Sequence, residues 1–429
     1  MSHRSFLLAR VLALFLLGAL ASSVQAEDRK TVRIGFVTFL SGPAAGPFGV
    51  PAKLAAEAIV ESLNAGKVPA PYNTKGFGGK PVELVIIDEA GGATKQVSEY
   101  RNLVERSDVD YVIGYISSGD CLAIAPVAEE MKKVTVLFDC GTPRIFEDAS
   151  YKYVFRTRPH ATMDAVAAAL YLLETHPDVK TYGGINQNYA WGQDSWNDFS
   201  ATMGVLKPDA KITTSQMPKF GAGQYGAEIS ALGSSDSDVI HSSLWGGDLE
   251  AFMLQSVPRE LFKRTQLVLV AGEPYLVRLA GSMPDGTIVG ARGTHGVFAP
   301  PSPYNDWLKT IYKAKAEGVL PTYPVYSTAA AFLGLKAAYE KAKAAKPAGP
   351  NAEELIPAFE NSSFASPSGK MTMSLGKGHQ ASSGTAYGTT KLVNGQVTVV
   401  NIKTYPAEKV QPPEGMTSAD WIKSGMKRK

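Results

Sequence analysis

The chain has 429 residues, 45% of them hydrophobic and 19% charged, which excludes a disordered or coiled-coil protein. A net charge of +3 provides no global field for DNA or RNA, so no nucleic-acid partner is expected. Two cysteines exclude a disulfide scaffold, a four-cysteine zinc site and an iron–sulfur cluster.

Arg4 and Arg10 flank the start of an apolar run, Val11 to Leu20, and small residues follow up to Val24-Gln25-Ala26. Basic, apolar and small residues in that order make a secretory signal, and the apolar part is short for a membrane span. Cleavage after about Ala26 and a soluble, periplasmic mature protein are expected. In that oxidising space Cys121 and Cys140 suit a structural disulfide, whose short loop would constrain the unfolded chain by roughly 3 kcal/mol. Two separate buried thiols are the other reading.

The β-branched run Thr31 to Thr38 predicts a strand, and the Ala-rich stretch Ala44 to Asn64 a helix. Strands at Val82–Asp88, Tyr111–Gly114 and Val134–Phe138 alternate with helices at Thr94–Glu105 and Leu122–Lys132. Apolar strands alternating with helices imply a parallel sheet covered on both faces. The rhythm restarts after Phe155-Arg156-Thr157. Strands at Thr181–Ile185, Lys211–Met217, Val239–His241 and Gln266–Val270 follow, with helices at Ala161–Glu174, Asp194–Met203, Tyr225–Leu232 and Asp248–Gln255. The fold class is therefore α/β, with two doubly wound parallel-sheet units in tandem. Helices at Asn305–Glu317, Ser327–Ala345 and Ala352–Asn361, and a hairpin turning at Asn394-Gly395, are too few for a third core and would complete the first two. Pro406 to Lys429 reads as a polar tail.

Chemistry-bearing motifs are sparse. None of the six histidines (3, 160, 176, 241, 295 and 379) has helix-face metal spacing, so no metal is expected. There is no nucleophile elbow and no phosphate loop. Gly221-Ala-Gly-Gln-Tyr-Gly226 matches a dinucleotide pattern literally, but three residues separate it from the strand and it is not in the first unit of its sheet. A flexible loop is the better reading, and no cofactor is expected.

Open α/β sheets bind ligands beyond the carboxyl ends of their strands. In the first unit those ends carry Ser117, Ser118 and Gly119, then Cys140, Gly141 and Thr142. Free N–H groups and hydroxyls at the start of a helix can hold a carboxylate; ordinary helix capping explains the serines equally well. In the second unit the ends carry Tyr189, Trp191, Trp245 and Glu273. Aromatics with one carboxylate suit a small apolar body with a polar end. The tryptophans could instead be core, although each sits among Gly and polar residues.

Leu40-Ser-Gly-Pro43, Ala125-Pro-Val-Ala128, Tyr153-Val-Phe-Arg-Thr157 and Trp191-Gly-Gln resemble, in order, the periplasmic solute-binding proteins of branched-chain amino acid ABC importers, the leucine/isoleucine/valine-binding family. The resemblance runs from residue 31 to about 400. It implies a type I periplasmic binding fold: two lobes joined by three crossovers, closing on ligand as a flytrap. Residues 27–157 plus 296–361 would form lobe 1, 158–295 plus 362–405 lobe 2, and 406–429 the tail. In relatives that bind leucine, positions matching Ser117, Ser118, Gly141 and Thr142 hold the amino acid head. Phe48 resembles the aromatic that covers the side chain, and Glu273 matches the partner of the ammonium group. Trp191 departs from the usual Tyr, and Arg144 stands where a small residue is common. Arg144 could pair with a solute carboxylate or with Glu147 or Asp148. Tyr115 and Tyr189 are further candidate contacts.

The expectation is a monomeric, non-enzymatic receptor that captures a carboxylate-bearing solute, a branched-chain or other amino acid, and delivers it to an inner-membrane permease. An aromatic acid or amide as ligand, and a sensor rather than a transport role, remain open. So does an exported hydrolase, although no His or Lys is obviously placed beside Ser117 or Ser118.

Overall fold

A computed structural model of the chain describes residues 30–343 and 349–428. The signal peptide read at residues 1–26 lies outside them. The chain opens with β1 (Val32–Thr38), β2 (Val82–Asp88), β3 (Tyr111–Gly114), β4 (Thr135–Leu137) and β5 (Val154–Arg156). β1 lies between β2 and β3 and is parallel to both; β4 and β5 extend the ladder in the same sense. All four residues of β3 and all three of β4 are buried, as befits strands covered by helices on both faces.

The chain then crosses to a second sheet with β6 (Thr181–Ile185), β7 (Lys211–Gln216), β8 (Val239–Ser242), β9 (Gln266–Leu269) and β10 (Ile288–Gly290). Helices Pro303–Lys315, Tyr323–Lys343 and Ala352–Phe359 bring it back. There β11 (Ser363–Ser366), β12 (Gly369–Leu375) and β13 (Gln380–Ser382) join the first sheet, in the order β2-β1-β3-β4-β5-β13-β12-β11. A third crossing leads to β14 (Thr385–Val393) and β15 (Gln396–Tyr405), which complete the order β7-β6-β8-β9-β10-β14-β15. The result is two parallel-dominated sheets joined by three crossovers, as the α/β two-lobe reading requires.

Several details differ from the sequence reading. Residues 363–382 belong to the first sheet, so the stretch 362–405 is not wholly in the second lobe. β5 and β10 have three residues each, too short for a periodic signal. The first helix begins at Val50, after a wide turn over Ala45–Gly49. Helices at Ser118–Glu130 and Ala190–Leu206 start four residues before their expected first residues, Leu122 and Asp194, so the polar and aromatic residues at the strand ends already belong to first helical turns. The tail is not a loose appendage. It forms helices Ala407–Val410 and Ser418–Lys423, and Trp421 is fully buried in the second lobe's core. The glycine-rich stretch is a loop over residues 221–225, with Gly221 at φ +75° and its N–H donated to Asp248, and Gly226 opens the helix Gly226–Ser234.

Candidate binding site

A small cavity lies where the strand ends of the two sheets face each other. It is lined by Ile116, Ser118, Gly141, Tyr189, Trp191, Trp245, Ala271 and Arg292. Its free space is only about 10 Å³, room for one water, so its walls must part to admit anything larger.

The first sheet contributes Ser118 and Gly141. Ser118 Oγ accepts the N–H groups of Gly141 (3.1 Å) and Thr142 (3.2 Å). A hydroxyl has two lone pairs and one proton, so both acceptor sites are in use and the proton remains to donate. Ser117 instead caps the helix, its hydroxyl accepting from Asp120 N–H at 3.4 Å. The N–H groups of Ile116 and Ser117 turn to the buried carboxylate of Glu89, at 2.7–2.9 Å. Asp120, beside that pair, is pushed up to about 6, chiefly by burial. The disulfide Cys121–Cys140 ties the start of this helix to the segment after β4.

The second sheet contributes aromatics that hydrogen-bond at their rims. Trp191 Nε1 donates to Ser243 O and Trp245 Nε1 to Tyr189 OH, both at 2.8 Å. The indoles are thereby oriented while their faces stay apolar.

Arg292 joins the site without an expectation from the sequence. It follows β10 in the crossover, at φ +52°, and its guanidinium carbon lies 4.1 Å from the Trp191 ring centroid. It donates to Asp139 Oδ1 (3.0 Å), Asp139 O (2.9 Å) and Tyr323 OH (3.1 Å). A guanidinium has five N–H donors, so two remain, one of them the buried Nε. Burial opposes its charge, but Tyr323, Asp139 and Asp164 more than offset this and raise its pKa. Arg158 donates to Asp139 on the other side, at 3.3 Å, and no exposed charge takes part. No sequence motif marks Arg292; its only signal is a charged residue just past the end of a buried apolar strand.

The remaining candidates lie elsewhere. Thr142 Oγ1 donates to Asp194 Oδ2 at 2.5 Å, and Arg144 grips Asp194 Oδ1 at 2.5 and 2.8 Å. Both contacts span the two lobes, and neither residue lines the cavity. Arg144 thus pairs with Asp194, not with Glu147 or Asp148. Phe48 packs edge-on against Trp245 (5.2 Å between centroids) and Tyr323 (5.3 Å), one layer behind the cavity. Tyr115 is buried among Tyr100, Cys121 and Cys140 in a separate core cluster, its φ of +119° turning it from the cleft. Glu273 does not reach the cavity either. Its carboxylate accepts the backbone N–H of Tyr323 at 2.9 Å, with a further bond from Val297, and burial pushes its pKa up to about 7.

A family model described as periplasmic binding protein matches residues 31–395. No curated protein matches the chain. Solved structures with the same fold include a solute-binding protein of an ABC transporter from Rhodopseudomonas palustris in complex with benzoate. It is 19% identical, with a TM-score of 0.72 over 89% of this chain and 99% of that one. Another from the same species, in complex with 4-hydroxybenzoate, is 20% identical, with a TM-score of 0.74 over 88% and 97%. An ABC-type branched-chain amino acid transporter protein of that species is 19% identical, with a TM-score of 0.66 over 90% and 100%.

Proposed function

Since the chain belongs to the periplasmic binding protein family, we propose that it captures a small aromatic carboxylate between its lobes and passes it, unaltered, to the permease of an ABC importer. The observation that carries this reading is the pairing of Arg292 with Trp191 in the cavity wall, while Glu273 is committed to backbone N–H groups. An α-ammonium group buried here would need a carboxylate of its own, and none lines the cavity. A carboxylate, by contrast, meets the spare Nη2 N–H of Arg292, which lies beside Gly141, and the hydroxyl proton of Ser118, while Nε faces the buried Asp164 carboxylate at 3.8 Å. Hydrogen bonds to charged groups are worth about 1.5–3 kcal/mol each when buried. The indoles of Trp191 and Trp245 and the Tyr189 ring suit a flat body. Two of the three structural neighbours named above carry benzoates, which agrees with this chemistry.

Capture would proceed by rotation of the lobes. The first lobe offers Ser118 on a helix held by the disulfide; closure then brings Trp191, Trp245 and Arg292 over the solute and excludes water. Export through the signal at residues 1–26 would place this cycle in the periplasm.

Thermal shift and calorimetry with benzoate, 4-hydroxybenzoate, leucine and isoleucine test the reading. A benzoate at 100 times its Kd should stabilise the protein by about 2.7 kcal/mol, seen as a rise of a few degrees in Tm. Arg292→Lys should weaken benzoate binding at least tenfold, because an ammonium cannot reproduce the planar fork. A response to the amino acids alone would assign the cleft to them instead. Silence from all four would count against capture of either class.

A further inference from the structure

A second cavity, of about 240 Å³, lies behind the segment 140–143. The two cavities share that segment as a wall: Gly141 lines the cleft and Pro143 lines the second cavity. Between them sits Arg156, whose Nη1 donates to the carbonyls of Cys140 (3.1 Å) and Thr142 (2.7 Å), on either side of Gly141.

Arg156 is fully buried and lines this second cavity, yet it forms no ion pair with any described residue. Its Nη2 has no hydrogen-bond partner there, and neither has Nδ1 of the buried His160 beside it. A buried cation without a contacting counter-charge is costly; Glu147 and Asp194 attract Arg156 through space, but among the described residues no carboxylate reaches ion-pair distance of it. Glu147 is engaged by Ser418 N–H and Oγ at 2.6–3.1 Å, and Glu414 by Lys377 N–H at 2.8 Å. The rest of the lining is largely apolar, with Phe146, Leu375 and Met416 among it, and Arg156 lies 5.7 Å from the Phe146 ring centroid.

The roof is the tail segment 412–417, which runs into the helix that buries Trp421 in the second lobe. Ser418 Oγ bridges the lobes directly, bonding Glu147 of the first and Thr162 of the second. An occupant would therefore touch parts fixed to both lobes and would press on the Arg156 contacts that hold the cleft wall.

We propose that this second cavity binds a small organic anion, its carboxylate on Arg156 and its apolar body against Phe146, Leu375 and Met416, and that its occupancy changes the affinity of the cleft. By linkage the two sites must then affect each other by the same factor.

Equilibrium dialysis of the full mature chain with hexanoate, and separately with benzoate, tests this. The expected result is a binding equivalent that Ser150→Trp, which fills the rim, weakens at least tenfold while cleft binding is kept. Met416→Trp, from the opposite wall, should do the same, so that one misfolded variant cannot decide the matter. Saturating hexanoate should shift the benzoate Kd of the cleft at least threefold in the wild type and not in Ser150→Trp. No equivalent sensitive to either substitution overturns the site. A sensitive equivalent that leaves the cleft Kd unchanged overturns the coupling. Equal competition by inorganic phosphate overturns the organic-anion assignment. The site itself is read at Ser150 and Met416 and stands apart from the choice of cleft ligand; the coupling, which rests on the proposed function, is read with leucine in place of benzoate if the cleft takes leucine instead.

Discussion

Arg144 follows β4 in the first lobe, and its guanidinium holds the carboxylate of Asp194 on the second-lobe helix Ala190–Leu206 at 2.5 and 2.8 Å. Thr142 donates to the same carboxylate. These bonds exist only while the lobes are together, so they favour closure whatever solute is bound. Arg144 is about a third exposed, at 36%, which limits the pair to about 1 kcal/mol. Arg144→Ala should therefore weaken solute affinity by up to about fivefold, chiefly through faster dissociation, and added salt should erase much of the difference. Stopped-flow displacement at two ionic strengths checks this.

Gly141→Ala should abolish tight binding while sparing the fold. The added Cβ would lie 2.5 Å from both Arg292 Nη2 and Trp191 Cζ3, which belong to the closing side. Each lobe keeps its own packing, so the thermal unfolding of the unliganded protein should change little. Small-angle scattering should show a larger radius of gyration than in the wild type. An unchanged radius and Kd would mean that Gly141 does not meet the opposite lobe.

Glu273 makes stability depend on pH. Its pKa rises from 4.5 unfolded to about 7 folded, because burial disfavours the charge. The folded state therefore holds the proton more tightly, and stability falls as pH rises from about 4.5 through 7. Above pH 7 the cost levels off at about 3 kcal/mol. Glu273→Gln should remove this contribution, so the stability difference between pH 5 and pH 8 should shrink by about that amount. Urea unfolding of both proteins at the two pH values measures it.

Trp421→Ala should destabilise the protein by about 3–5 kcal/mol, the usual cost of deleting a fully buried indole. A tail packed only weakly would give a change below 1 kcal/mol in urea unfolding.

The strand-end rule located five of the eight cavity residues, Ser118, Gly141, Tyr189, Trp191 and Trp245, because a doubly wound sheet always presents those ends to its cleft. Arg292 was illegible because β10 has only three residues, and nothing in Ala-Arg-Gly-Thr shows that the crossover folds back over Trp191. Glu273 sits at a strand end as expected, but its direction is set by the N–H of Tyr323, fifty residues away in sequence. Strands β11 to β13 escaped notice because they are short and half polar, with only Phe364, Met371, Met373 and Leu375 marking one face. The tail escaped because its apolar content is concentrated in Val410, Trp421 and Ile422, three anchors in a polar stretch.

The bond between Cys121 and Cys140 has one more consequence. It joins the two stretches of chain that form the first lobe's contact surface, Ser118 on one side and Gly141 on the other. Material made in a reducing compartment could pass every test of global folding and still present a loosened palm, because the staple secures the grip before it secures the architecture. Preparations should then divide by thiol titre into strong and feeble binders with indistinguishable circular dichroism.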